Sequence, residues 1–312
     1  TLDPVVAEVS YPLDDTLRLH HTQSLGTHNS YHIEPEGNVV PDWEYTHAPL
    51  DVQLGEQGVR NFELDLHMNG ETGELEVYHL PLVDAETTCL SFLDCLCTLR
   101  QWSDRSPAHL PFVVMLEPKD ELDEVPMAGN LDLIDETIRA VWPEDRLFTP
   151  DDLQGDAASL SEALAGEGWP TLGEVRGQAI FYLLDSGEHR DEYTADQTSL
   201  AGRVLFANVG VGHPLSAMTQ VDDPYNTTAI QDALDANLLV RTRSDAGGEE
   251  VEAGDTARLE AALASGAHYL STDYPAPVEG IDYVAAIPGG QPAGCNPVTA
   301  PADCVPELLE AP

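Results

Sequence analysis

The chain has 312 residues, with 13 Lys+Arg against 56 Asp+Glu, a formal charge of −43 at pH 7, and 42% hydrophobic residues. That apolar content supplies a substantial core and excludes wholesale disorder. The lack of a basic face excludes nucleic acid and a polybasic grip on anionic lipid, and no run reaches the roughly 18–20 apolar residues of a membrane span.

In chain order, short apolar runs at residues 22–25, 61–66, 75–78, 112–116, 179–184, 204–207, 238–240 and 268–271 read as strands. Helical periodicity falls between many of them, at 50–57, 90–102, 131–141, 228–236 and 256–264. This alternation is the pattern of βα units around a parallel sheet, and the count predicts an α/β fold, a (β/α)8 TIM-type barrel. Between the second and third strands, Asn69-Gly70 and Gly73 leave room only for a turn. Residues 149–177, rich in Gly and Asp, read as a surface excursion with a short helix near 160–164. The expected organisation is one catalytic barrel domain with its core at 19–275, followed by an ordered C-terminal tail at 276–312.

The five cysteines form two clusters, Cys89, Cys95 and Cys97, then Cys295 and Cys304. Neither has the paired arms of a zinc site. Disulfides are expected within the second pair and between Cys89 and one neighbour, leaving one thiol over, as suits an exported protein. A chain starting at Thr1 without Met fits that expectation of processing. Positive charge comes almost wholly from Arg, and Lys119 is the only lysine. Two readings of this acidic surface stand side by side: adaptation to a saline environment, where carboxylate repulsion is screened, and an ordinary soluble secreted protein.

Unusual polar residues gather at the carboxyl ends of the predicted strands. The first runs into Gly26-Thr27-His28-Asn29-Ser30, and the second reads NFELDLH, with Glu63, Asp65 and His67 on the face opposite Phe62, Leu64 and Leu66. Others end at Tyr78-His79, at Glu117-Pro118-Lys119, at Arg241 and Arg243, and at Asp273-Tyr274. A barrel brings these ends to one mouth. Inward carboxylates there need a counter-charge, and oxygen donors suit a hard cation such as calcium better than zinc. Histidines beside such an ion are free to move protons, and the Arg and Lys groups mark a place for a phosphate. Together these parts point to phosphodiester cleavage.

The ordered set GTHNSY, FELDLH, VYHLP, LEPKD, LVRTRSD and STDYP resembles the calcium-dependent bacterial phosphatidylinositol-specific phospholipases C, over about residues 19–275. The resemblance implies a TIM-type barrel, His28 and His79 as the catalytic pair, and Ca2+ held by Asn29, Glu63, Asp65 and Glu117. It places Lys119 and Arg241 near the phosphate or inositol of the substrate. Arg243, Asp273 and Tyr274 complete the expected substrate-binding set. The implied reaction is attack of the inositol 2-hydroxyl on phosphorus, with His79 protonating the departing diacylglycerol oxygen and His28 stabilising charge or sharing base duty. Lys119 has a plainer reading as the ion-pair partner of Asp120 or Glu121, and Tyr274 as an ordinary rim tyrosine. His20, His21, His32 and His47 match no role.

The expected partner is phosphatidylinositol or a related inositol phosphodiester, met by a monomer with peripheral contact to a lipid surface. The net charge of −43 opposes an anionic bilayer, so a soluble inositol or glycerol phosphodiester is the alternative substrate. A glycerophosphodiesterase is less favoured, since GTHNS stands where those enzymes carry an HRG-type entry. A non-catalytic inositol-binding barrel is disfavoured because every histidine and carboxylate of the set is present.

Overall fold

The computed structural model describes residues 11–37, 40–120, 125–290 and 292–310. In chain order the elements are β1 (Thr22–Thr27), α1 (Leu50–Gly55), β2 (Val59–Met68), β3 (Leu75–Val77), α2 (Phe92–Arg105), β4 (Phe112–Pro118) and α3 (Asp132–Val141). Next come α4 (Pro150–Gln154), α5 (Leu160–Gly166), α6 (Leu172–Val175), β5 (Ala179–Leu183), α7 (Glu188–Tyr193), β6 (Leu205–Ala207) and β7 (Met218–Gln220). The last are α8 (Thr227–Asp235), β8 (Leu239–Arg243), α9 (Gly248–Glu252), α10 (Ala257–Ala264), β9 (Tyr269–Thr272) and β10 (Ala293–Cys295).

Eight strands run parallel in the order β6-β5-β4-β2-β1-β9-β8-β7, a nearly closed barrel with helices around it. Among the described residues β6 and β7 share no ladder, so the closure has a seam there. Strands covered on both faces must be apolar throughout or carry paired polar groups. Phe112, Val113, Val114, Ile180, Phe181, Leu205 and Phe206 meet the first condition, and all are fully buried.

The strand count of eight is met with one substitution. The run at 75–78 forms β3, which pairs antiparallel with β2 as a hairpin (Leu66↔Val77, Met68↔Leu75) and is not a barrel stave. The expected turn closes that hairpin, where Asn69 Oδ1 accepts from the backbone N–H of Glu71 and Thr72. The missing stave is β7, whose three residues carry too little apolar signal to stand out. Residues 149–177 form three short helices, not one, and they bury Leu160, Trp169 and Leu172.

Gly26 is required where β1 passes β2: an added Cβ would sit 2.6 Å from Asn61 Oδ1, at a bulge between Leu25 and Gly26. At the opposite, amino end of the barrel, β10 pairs antiparallel with the start of β1 (Thr22↔Cys295). The Cys295–Cys304 disulfide holds this tail, and Glu310 reaches back to Arg60 of β2 at 2.6 Å. The second disulfide joins Cys89 and Cys95, leaving Cys97 as the free thiol. No helix among the described residues is long and apolar enough to cross a membrane.

Candidate active site

The β2–β4 register sets Asp65 beside Glu117, and two residues earlier in β2 Glu63 points to the same side. One carboxylate oxygen from each lies within 4.8 Å of the others. Asp65 is 1% exposed, and neither of its oxygens has a hydrogen-bond partner. Burial, reinforced by the charges of Glu117 and Glu63 and opposed by Lys119, pushes its carboxyl well above the usual range. Three converging oxygen donors, one of them the buried Asp65 without a hydrogen-bond partner, are the set that a hard divalent cation satisfies, so these residues fit calcium. Asn29 follows β1 and is buried, with φ at 42°, a left-handed conformation that Asn tolerates better than most residues.

Lys119 reaches the same cluster, with Nζ 2.7 Å from Glu117 Oε1 and 3.3 Å from Asp65 Oδ2. The expected plain reading fails for Asp120, which binds His189 and the backbone N–H of Met127 instead. Glu121 lies outside the described residues. Burial alone would lower the Lys119 pKa, yet Asp65 and Glu117 raise it above the ordinary value.

Arg241 and Arg243, alternate residues of β8, share a face as expected but take different partners. Arg241 Nη2 donates to Glu63 Oε2 at 2.6 Å and to Ser271 Oγ, while Nη1 binds Asp222. Arg243 Nη2 donates to Asp273 Oδ2 at 2.9 Å. Both therefore serve as counter-ions of site carboxylates.

Each histidine of the expected pair rests its Nδ1 on a buried aspartate. His28 Nδ1 lies 3.0 Å from Asp273 Oδ1, with the Tyr45 hydroxyl at 3.4 Å. His79 Nδ1 lies 2.6 Å from Asp84 Oδ2. Among the described residues neither Nε2 has a protein partner, so both are free toward the mouth. Burial, with Arg243 adding its charge, holds His28 well below the ordinary imidazole value, and Glu63 opposes that shift. Burial raises Asp273, against the pull of Arg243. His47 pins the loop by donating from Nε2 to the His28 carbonyl at 2.9 Å.

Tyr274 is held by its neighbours: its hydroxyl donates to the Glu44 carbonyl and its ring packs edge-on against Tyr283. His67 stacks on Tyr78, with Nε2 2.9 Å from that residue's carbonyl. Three carboxylates were not foreseen: the buried Asp84 and Asp245, and the exposed Asp222 beside Arg241. Asp245 continues the alternate face of Arg241 and Arg243, a signal open to a period-2 reading. It accepts from the Asp273 backbone N–H at 3.0 Å and from Tyr283 and Thr272, fixing the Asp273 loop. Burial and the charge of Asp273 push it up to about 6.

The chain matches the family described as phosphoinositide phospholipase C, Ca2+-dependent, over residues 17–77 and 71–297. None of the curated proteins compared matches it. Among solved structures, it is similar to a Ca2+-dependent phosphatidylinositol-specific phospholipase C of Streptomyces antibioticus, at 21% identity and TM-score 0.62, covering 83% of this chain and 96% of that one. It is also similar to the calcium-dependent enzyme of a Pseudomonas species in its myo-inositol complex, at 19% identity and TM-score 0.63, covering 91% and 97%. A phosphatidylinositol-specific phospholipase C of Staphylococcus aureus shares 14% identity, with TM-score 0.53 and coverage of 88% and 93%. At these identities the likeness is one of fold.

Proposed function

The chain belongs to the Ca2+-dependent phosphoinositide phospholipase C family, and from that premise we propose that it cleaves phosphatidylinositol between phosphorus and the diacylglycerol oxygen. The observation that carries this reading is the convergence of Glu63, Asp65 and Glu117, with two histidines each keyed to an aspartate.

Asn29, Glu63, Asp65 and Glu117 would hold calcium, which when bound supplies Lewis acidity toward the substrate's oxygens. Asp273 accepts a hydrogen bond from His28 Nδ1–H and so leaves Nε2 with a lone pair, ready to take the proton of the inositol 2-hydroxyl as its oxygen attacks phosphorus. His79, with Nδ1 on Asp84, donates from Nε2 to the diacylglycerol oxygen as the P–O bond breaks. The products are diacylglycerol and cyclic inositol phosphate. Lys119 balances Asp65 and Glu117, and with those carboxylates engaged by an ion its ammonium would be released toward the phosphate.

Contact with a lipid surface is supported by the loop that carries His79. Leu80 and Asp84 close it through reciprocal backbone bonds, and at its tip Leu82 is 100% exposed and Val83 51%. A Staphylococcus aureus neighbour is described in terms of its membrane binding. A second reading, a soluble inositol or glycerol phosphodiester as substrate, is favoured by the charge of −43.

Phosphorus NMR of the reaction separates them. With calcium, phosphatidylinositol is expected to give a cyclic phosphodiester signal, and chelator should abolish it. Turnover of glycerophosphoinositol or glycerophosphocholine in preference to phosphatidylinositol would overturn the lipid reading, and full activity in excess chelator would overturn the calcium one.

A further inference from the structure

His32 matched no role in the sequence, and Asp84 drew no attention there, yet the two sides of the site meet through them. Asp84 is fully buried and receives two histidines: His79 Nδ1 at 2.6 Å on Oδ2, and His32 Nε2 at 3.0 Å on Oδ1 and 3.2 Å on Oδ2. His32 is itself fixed on its other ring nitrogen, with Nδ1 2.9 Å from the Tyr45 carbonyl and its ring 4.3 Å from the Tyr45 ring. Its backbone is tied as well, by the N–H to the Asn29 carbonyl and by the bond from His47 N–H to its own carbonyl.

A near-symmetry follows. At His28 the sequence of contacts runs imidazole, Asp273, Arg243; at His79 it runs imidazole, Asp84, His32. In both, a buried carboxylate accepts the hydrogen bond from Nδ1–H and a donor behind it holds that carboxylate in place. Burial alone would raise the Asp84 carboxyl, but the hydrogen bonds of His32 and His79 hold it down to about 2. A carboxylate kept ionised and oriented fixes a histidine's tautomer, which decides which ring nitrogen meets the substrate.

We propose that Asp84 and His32 are positioning residues for His79: His32 clamps Asp84 from the β1 side of the barrel, and Asp84 holds the His79 ring so that its Nε2 delivers a proton to the departing alkoxide. The role extends to the loop itself, since Asp84 closes the hairpin of His79 while His32 belongs to the segment after β1. Keyed through this pair, the proton donor is registered against His28 and the carboxylate cluster on the opposite side. The proposal rests on the reading of His79 as the general acid.

The test exploits the leaving group. An alkoxide needs a proton as it departs, whereas nitrophenolate leaves without one. Asp84→Asn, Asp84→Glu, His32→Gln and His79→Ala are assayed with calcium on phosphatidylinositol and on a nitrophenyl inositol phosphodiester. Asp84→Asn is expected to lower kcat on the lipid by about 100-fold, within the range of general acid catalysis, while the nitrophenyl ester loses less than about tenfold and its KM holds. His32→Gln should show the same selectivity at smaller size, and Asp84→Glu should recover part of the loss. Equal losses on both substrates for His79→Ala would overturn the general-acid reading itself. Selectivity in His79→Ala without selectivity in Asp84→Asn and His32→Gln would overturn the positioning role. A proton NMR measurement on the unaltered protein guards against variants that fail to fold. A far-downfield imidazole N–H resonance assigned to His79 Nδ1 is expected, and its absence would also overturn the proposal.

Discussion

Arg241 donates to Glu63 across the barrel at 2.6 Å, an ion pair from which water is almost wholly excluded. Its second nitrogen binds Asp222, so one guanidinium spans the floor of the site from β8 to β2. Breaking such a pair from one side leaves an uncompensated buried charge, which costs about 3–5 kcal/mol. Arg241→Met is expected to lose stability of that order in urea unfolding, and Glu63→Gln on top of it to restore part of the loss. An Arg241→Met protein as stable as the unaltered one would show that the pair carries no such burden.

The carboxylate cluster predicts a calcium effect legible without any substrate. Calcium at a hundredfold excess over its Kd should stabilise the folded state by about 2.7 kcal/mol. Asp65→Asn should abolish that rise in Tm. Lys119→Met should tighten calcium binding in calorimetry, because the ammonium against Asp65 and Glu117 is removed as a competitor. Unchanged affinity in Lys119→Met would mean that the lysine swings clear at no cost.

Buried neutral histidines set the acid limit of stability. Burial lowers His109 and His268 from 6.5 to about 3 each, and the backbone carbonyls of Leu110 and His20 only partly offset it. Above pH 6.5 neither state holds the extra proton; below it the unfolded chain binds more, so stability falls with pH down to about 3. Each histidine withdraws at most about 1.4 kcal/mol per pH unit across that window. Asp245, raised to about 6, acts with the opposite sign, adding stability as pH falls from 6 through 3.8. Urea titrations from pH 7 to 4 should therefore show a net loss, and His109→Gln a shallower slope.

The elements and the mouth of the barrel were readable because their signals are local. Alternation along NFELDLH placed Glu63 and Asp65 on one face, and the carboxyl ends of β2 and β4 did bring Glu63, Asp65 and Glu117 together. Partner choice was not readable, since it depends on closure of the ring. Arg241 and Glu63 are 178 positions apart, and nothing near either names the other. The disulfide of Cys89 was open between two partners, although helical period decides it. Phe92, Cys95, Leu96, Leu99 and Trp102 form the buried stripe of α2, and Cys97 falls outside it. The strand β7 escaped because three residues, Met218–Gln220, offer almost no pattern.

Leu82 and Val83 lead to a separable effect. Replacing both with Asp should weaken binding to phosphatidylinositol vesicles and lower turnover there by about tenfold or more, given roughly 1.5–3 kcal/mol for each buried aliphatic side chain. Turnover of a soluble inositol phosphodiester should hold. Equal losses on both would assign the tip to folding of the His79 loop.

Salt should act on the whole molecule. Screening shortens from about 8 Å at 0.15 M to 3 Å at 1 M, so the repulsion among carboxylates behind a charge of −43 is suppressed. Tm is expected to climb over that range, along with the rate on anionic vesicles. A flat or falling Tm would remove the saline reading of the acidic surface.

Arg60 lies in β2, close to the beginning of the chain, but the carboxylate that neutralises it is Glu310, 250 positions later. Glu310 also caps the backbone N–H of Leu110, and the neighbouring Leu309 carbonyl receives Arg176. A ribosome must therefore deliver residue 310 before the base of the barrel can be sealed. Loss of Leu309 and Glu310 should behave as a folding defect, although the carboxylate cluster lies at the opposite rim.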